Sequence, residues 1–176
     1  QVLNSVKNQS HLPQEVVICD DGSRSDSRNL IMHLQQNFPC NLKYVWHEDV
    51  GFRAAAIRNK GIKELSSTIN YVVIIDGDMI LHNNFIADHI RIAEKNFFIQ
   101  GGRALLTKDK TIKVLSHCDL RHNFHFFSQG LSNRKNTLYL PFLTKLFENP
   151  SQKLQGIRTC NMSFWKDDLY DVNGFN

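Results

Sequence analysis

The sequence predicts an α/β domain: a mostly parallel sheet with helices packed on its faces. Two observations carry this. Short unbroken apolar runs alternate with segments of helical period, and an acidic polar segment follows the end of each run. The runs are 16–19 (VVIC), 42–46 (LKYVW, the weakest) and 71–75 (YVVII). Continuous β-branched runs of this length suit strands buried on both faces. A strand–helix–strand crossover within one sheet is right-handed and parallel, so the alternation predicts a parallel sheet.

The elements follow in order. Val2, Leu3 and Val6 mark a helix at the very start. The 16–19 run is the first strand. Leu30, Ile31, Leu34 and Phe38 form one apolar stripe of a helix that Pro39 closes. After the 42–46 strand, Ala54, Ile57, Arg58, Gly61, Ile62 and Leu65 mark the next helix. After the 71–75 strand, Phe85, Ile86, His89, Ile90 and Ala93 mark a fourth, with Asn83 or Asn84 as its N-cap. The opening helix lacks the strand that should precede it. Beyond residue 100 the pattern loosens. Segments 101–106 and 111–115 suggest a hairpin around Lys108-Asp109, 116–130 and 138–148 read as helical, and 156–164 reads as extended.

A length of 176 residues is that of one domain with a sizeable core. Hydrophobic residues make up 41% and charged residues 22%, which excludes a disordered chain. Lys+Arg 21 against Asp+Glu 17 gives +4, which suits an anionic ligand and argues against a nucleic-acid coat. No apolar run approaches the ~20 residues of a membrane helix, and no leader peptide is visible. Cys19, Cys40, Cys118 and Cys160 are too widely spaced for a zinc pair. They read as four free thiols in a reducing, cytoplasmic compartment. His117, Cys118, His122 and His125 read as a partly exposed helix rather than a metal site. Asn8-Gln9-Ser10 and Asn161-Met162-Ser163 match the glycosylation tripeptide, which has no consequence in that compartment.

In open α/β sheets ligands bind beyond the carboxyl ends of the parallel strands. Asp20-Asp21-Gly22-Ser23 follows the first run, 47–53 (HEDVGFR) the second, and Asp76-Gly77-Asp78 the third. Parallel strands would bring these segments to one edge, gathering four aspartates and Arg53 around one crevice. Asp76-Gly77-Asp78 has two readings: an acidic turn, or paired carboxylates facing Mg²⁺ or Mn²⁺, which prefer oxygen ligands. Asp20-Asp21-Gly22-Ser23 is likewise either a turn leading to a capped helix or a carboxylate site for a base or ribose. Arg53 and Arg58 are either solvated helix residues or phosphate ligands. Gly-x-Gly-x-x-Gly, Walker A, His-Glu-x-x-His and Gly-x-Ser-x-Gly patterns are all missing, which disfavours dinucleotide-binding, P-loop, zinc-protease and α/β-hydrolase classes.

Four segments in order resemble the family 2 glycosyltransferases of the GT-A, Rossmann-like fold. They are 15–23 (EVVICDDGS), 51–59 (GFRAAAIRN), 75–79 (IDGDM), and 156–165 (GIRTCNMSFW) followed by 172–176 (VNGFN). The similarity spans almost the whole chain. It is nearest to bacterial enzymes that build surface polysaccharide or lipooligosaccharide, akin to chondroitin polymerase domains. The resemblance implies a single domain over 1–176, with a nucleotide-sugar half to about 106 and an acceptor-side half beyond. It implies inverting transfer from a nucleotide-diphosphate sugar, most often UDP-linked, to a glycan or glycolipid acceptor, with Mn²⁺ or Mg²⁺. The enzyme would work in the cytoplasm or at the inner face of the membrane as a peripheral protein.

By the same resemblance, Asp20 or Asp21 contacts the base and Arg53 or Arg58 the ribose or diphosphate. Asp76 lies near ribose and metal, and Asp78 ligates the metal. Asn161, Ser163 and Trp165 line the acceptor side, although Trp165 reads equally as core. The family also has a strand that would precede Gln1. An acidic pair supplying the general base, and a histidine completing the metal site, would follow Asn176. Asp167 and Asp168 are poor substitutes for that base. Two other readings stand beside the enzyme: a noncatalytic nucleotide-sugar-binding module, and a nucleotidyltransferase, which requires a Gly-rich phosphate loop not found here.

Overall fold

The computed structural model describes residues 1–116, 124–143 and 156–176. Its elements are α1 (Val2–Lys7), β1 (Glu15–Asp20), α2 (Ser25–Gln35), β2 (Asn41–Trp46), α3 (Ala54–Lys63), β3 (Tyr71–Ile75) and α4 (Phe85–Arg91). β4 (Ile99–Gln100), β5 (Leu105–Leu106), α5 (Lys108–Ser116) and β6 (Leu131–Ser132) follow. Two 3₁₀ turns, Arg134–Thr137 and Pro141–Leu143, precede β7 (Asn161–Trp165) and α6 (Lys166–Asp171). All four helices and all three strands expected before residue 95 are present. Asn84 is the N-cap of α4, without a side-chain capping bond.

β1 and β2 run parallel, with Glu15 opposite Asn41 and Asp20 opposite Trp46. The parallel register puts the carboxyl ends of both strands at one edge. Glu15 fastens the other end. Its carboxylate accepts hydrogen bonds from Lys43 Nζ at 3.1 Å and from the Ser66 backbone N–H at 3.1 Å, and a further bond from the Ser66 hydroxyl. That clamp joins the start of β1 to β2 and to the segment after α3.

β3 belongs to a second ladder, where it pairs antiparallel with β7, which pairs antiparallel with β4. Tyr71 faces Trp165 at one end of the β3–β7 ladder, and Ile75 faces Asn161 at the other. The core beneath it is Ile62 of α3 with Val72, Met162, Phe164 and Leu169. Phe164 is 3% exposed, and truncating such a side chain to Ala costs about 3–5 kcal/mol. α3 also holds the Asn-Gly-Phe segment: Asn59 Nδ2 donates to Phe175 O at 2.8 Å, and Phe175 N–H donates to Asn59 Oδ1 at 2.9 Å. The described strands thus form a parallel pair, an antiparallel trio and the short β5–β6 ladder, and β3, expected in a parallel sheet with β1 and β2, pairs antiparallel with β7 instead.

Several sequence expectations change. Val16, Val17 and Ile18 are half-buried and Cys19 is exposed, not buried on both faces. Among the described residues β1 has a ladder partner on one edge only, and a one-sided strand leaves its other flank open. The hairpin around Lys108-Asp109 is instead β5 followed by α5. Thr107 Oγ1 accepts the Lys110 N–H at 3.4 Å, and Val114 turns inward at 2% exposure. Asp109 in the first turn and Lys113 in the last suit the helix dipole. β5 pairs with β6 rather than with residues 111–115. Of the 116–130 helix, Ser116 belongs to α5, 124–130 forms turns, and 117–123 lies outside the described residues. Of the 138–148 helix, only Pro141–Leu143 forms a 3₁₀ turn, and 144–155 lies outside the described residues.

Cys19, Cys40 and Cys160 are free thiols, while Cys118, His117 and His122 lie outside the described residues. Among the described residues no helix is long and apolar enough to cross a membrane.

Candidate active site

The loop after β1 is built around two carboxylates with different duties. Asp20 is 8% exposed. Its Oδ1 accepts the Ser23 N–H at 2.7 Å, and its Oδ2 accepts the Tyr44 hydroxyl at 2.6 Å. Burial works to raise the Asp20 pKa, but the bonds from Tyr44 and Ser23 outweigh it and hold the carboxyl below its ordinary value. The reciprocal effect appears on Tyr44, which burial and the Asp20 carboxylate push up to about 12. Both oxygens of Asp20 are therefore spent on shaping the loop.

Asp21 ties the loop after β1 to both ends of the loop after β2. It pairs with His47 Nε2 from the loop after β2, and its Oδ2 accepts the Arg53 backbone N–H at 2.9 Å. The His47 bond, then the Arg53 bond, hold Asp21 below the usual carboxylate range. Gly22 makes the turn between them. Its φ of +94° is left-handed, and a Cβ there would sit 2.6 Å from Asp49 Cα. The Arg53 guanidinium reaches back to the Glu48 carbonyl and leaves its Nε buried without a partner.

The third segment joins this edge through Arg58. Arg58 Nη2 lies 3.5 Å from Asp76 Oδ1. Cys19, near the end of β1, is exposed as a residue but packs its Sγ against Gly61 of α3, and desolvation there raises the thiol to about 11. Asp76 is half-buried, Gly77 faces open space, and Asp78 is exposed. Met79 N–H donates to the Asp76 carbonyl at 3.3 Å, closing the turn that presents both carboxylates. Among the described residues no group of three or more His, Cys, Asp or Glu side chains converges on one point.

The residues expected on the acceptor side behave otherwise. Asn161 is 6% exposed and Ser163 0%, so neither has surface for a sugar. Both amide groups of Asn161 are spent: Nδ2 donates to Gly102 O at 2.9 Å, and Oδ1 lies 2.9 Å from His89 Nε2. Trp165 stands four residues from Asn161 along β7, about 13 Å at strand rise. Its ring packs edge-on to Tyr71 at 5.1 Å and lies under Lys95 Nζ at 4.1 Å. Asp167 and Asp168 begin α6 at that same far end, and Asp168 accepts the Asn96 N–H at 3.1 Å. Of the three, only Asn161 reaches the Asp76 edge, opposite Ile75.

Sequence reasoning placed His47 in the polar segment after the second strand without giving it a role, and missed Tyr44 and His89. The only signal for His89 was a histidine on the apolar stripe of α4. Tyr44 carried no local signal, because its partner comes from another strand.

Carboxylates and arginines at the strand ends of an α/β domain stand where such folds bind their ligands. Residues 1–154 match the model of the family described as Glycosyl transferase family 2. The chain belongs to that family, and its parallel β1–β2 pair with flanking helices is part of a Rossmann-like GT-A fold. It is 28% identical over 98 residues to a chondroitin synthase of Escherichia coli, covering 54% of this chain and 14% of that protein. It is 32% identical over 74 residues to a chondroitin synthase of Pasteurella multocida, covering 42% of this chain and 7% of that one. It is 24% identical over 170 residues to the minor teichoic acid biosynthesis protein GgaA of Bacillus subtilis, covering 89% of this chain and 34% of that one. The chain therefore spans a minor part of the length of these relatives. Family membership also separates it from the nucleotidyltransferase alternative.

Proposed function

We propose that this domain transfers a sugar from a nucleotide-diphosphate donor, UDP-linked, to a glycan acceptor with inversion, in the assembly of a surface polysaccharide. The observation that carries this is the Asp76-Gly77-Asp78 turn. It is open at Gly77, follows a strand of the core, and is paired with Arg58 of α3, the helix that packs on β1. Chondroitin synthases and a teichoic acid biosynthesis protein among the relatives support the polysaccharide context.

The donor set suits Mn²⁺ or Mg²⁺. Such ions are bound by one or two carboxylates and complete their shell with waters and substrate phosphates, so a third protein ligand is not required. Asp78 would hold the ion, with Asp76 beside it. A bound ion supplies positive charge to the departing diphosphate. Arg58 adds a fixed cation at the same edge and orients Asp76. Asp21, linked to His47 and the Arg53 N–H, shapes the base-binding loop, and Asp20 keeps that loop in place from beneath.

Calorimetry with UDP, with and without Mn²⁺, tests the donor site. Binding that strengthens with Mn²⁺ supports it, and a folded chain that binds no UDP in either condition refutes it.

A further inference from the structure

A buried polar chain lies directly behind the Asp76 edge. His89 on α4 is 6% exposed, with its Nδ1 2.7 Å from Ser163 Oγ and its Nε2 2.9 Å from Asn161 Oδ1. Tyr71 Oη lies 2.7 Å from the same Ser163 Oγ. The direction of every bond follows from one end. The Gly102 carbonyl can only accept, so Asn161 presents its amide N–H there at 2.9 Å and its Oδ1 to the imidazole. Oδ1 can only accept, so His89 Nε2 carries the hydrogen. In a neutral ring Nδ1 is then the acceptor, and the Ser163 hydroxyl donates to it. The Tyr71 hydroxyl in turn donates to Ser163 Oγ. Each donor has an acceptor, and the Tyr71 hydroxyl has a second, longer one in the His89 backbone carbonyl at 3.4 Å.

A second proton on His89 would break this order. Nδ1–H would donate to Ser163 Oγ, the Ser163 hydroxyl would have to turn to Tyr71 Oη, and the Tyr71 hydroxyl would keep only the long contact to the His89 carbonyl at 3.4 Å, so the bonds of all three groups would rearrange. Among the described residues the groups in contact with the ring are neutral. β7 contributes Asn161 and Ser163, and Phe85 of α4 packs against the ring at 4.6 Å. Beyond them, β3 contributes the Tyr71 phenol. α4 itself contributes Asp88, which is engaged with Arg91 at 2.9 Å. Burial lowers the His89 pKa, and the Asn161 bond and Asp88 only partly oppose it.

The Asn161 amide governs the local backbone. It lies over Gly101, where a Cβ would overlap it, and it grips the Gly102 carbonyl, while the Asn161 carbonyl accepts the Gly101 N–H at 2.9 Å. Asn161 also faces Ile75, the residue before Asp76.

We propose that His89 is a positioning residue for the donor site. As the neutral Nε2–H tautomer it holds the Asn161 amide, and through it the Gly101 and Gly102 backbone, against the strand end that carries Asp76 and Asp78. This rests on the reading of that turn as the donor site.

The test separates the two claims. A long-range ¹H–¹⁵N spectrum of the wild-type chain near pH 7.5 reads the ring directly. The Nε2–H pattern is expected, and an Nδ1–H or charged ring overturns the proposal. His89→Gln carries an amide nitrogen where Nε2 lies, whereas His89→Asn reaches only the Nδ1 place. The backbone amide shifts of Asp76, Gly77, Gly101 and Gly102 should move in His89→Asn and stay in His89→Gln. Affinity for UDP with Mn²⁺ should fall about tenfold in the first and stay within about threefold in the second. Equal change in both variants, or in neither, overturns the proposal.

Should either variant fail to fold, the wild-type chain decides by titration. The Gly101 and Gly102 amides should shift with the same midpoint as the His89 ring, and unrelated midpoints refute the linkage. A wild-type chain that binds no UDP refutes the donor site alone, and the tautomer and amide shifts still judge His89.

Discussion

Glu15→Gln removes one charge from the clamp that holds the β1–β2 platform and keeps the side chain's shape. Glu15 is 8% exposed at its side chain and would be costly to ionise there alone. Desolvation by burial raises its pKa, yet the bonds from Ser66 and Lys43 more than reverse this and bring it from 4.5 down to about 2. At 1.36 kcal/mol per unit the difference is about 3 kcal/mol, and the 29% exposure of Lys43 screens part of it, leaving about 2–3 kcal/mol. The folded value lies below the unfolded one. The contribution is therefore complete above about pH 4.5 and lost as the pH falls toward about 2. Urea unfolding followed by tryptophan fluorescence should show Glu15→Gln less stable by about 2–3 kcal/mol at neutral pH, with an unchanged urea dependence. The gap should nearly close near pH 2. A neutral-pH difference below about 0.5 kcal/mol, or one that persists in acid, would refute the reasoning.

Other expectations follow from the site. Asp78→Ala should weaken Mn²⁺-dependent UDP binding by about tenfold or more while leaving the fold intact, and unchanged calorimetric affinity would remove Asp78 from the metal. Gly22→Ala must place a Cβ in a left-handed turn against Asp49. It should cost about 2 kcal/mol in urea and weaken UDP binding, and a wild-type midpoint would show that the turn is relaxed. Ser163→Ala strands His89 Nδ1 and leaves the Tyr71 hydroxyl only its long contact to the His89 carbonyl at 3.4 Å, and should cost about 1–3 kcal/mol in the same assay. The His89 pKa lies below 6.5 in the folded chain, so the unfolded chain binds the proton first. Stability should decline as the pH falls below 6.5, a window well above that of Glu15, and His89→Gln should flatten it. Parallel slopes for both proteins would count against a neutral His89.

Local patterns located the first seven elements well because they depend on local spacing. The 71–75 run needs no partner to read as a strand, and the stripe of Ile57, Arg58, Gly61 and Ile62 reads as one helix face wherever it packs. The same reasoning failed at 111–115, whose β-branched Thr111 and Ile112 suggested a strand. A cap from Thr107 and the burial of Val114 made it a helix.

The amino-acid sequence by itself determined that carboxylates follow three strands, since a polar turn after an apolar run is written in adjacent residues. Only the tertiary structure decided which of those carboxylates are free. Asp20 is consumed by Tyr44 from the neighbouring strand, Asp21 is engaged by His47 and Arg53, and Asp78 remains exposed. It also turned Asn161 and Ser163 from surface candidates into a buried network around His89. Hydrogen-bond partners and burial depend on residues distant in the chain, such as the 72-residue separation between His89 and Asn161, and no local spacing encodes them.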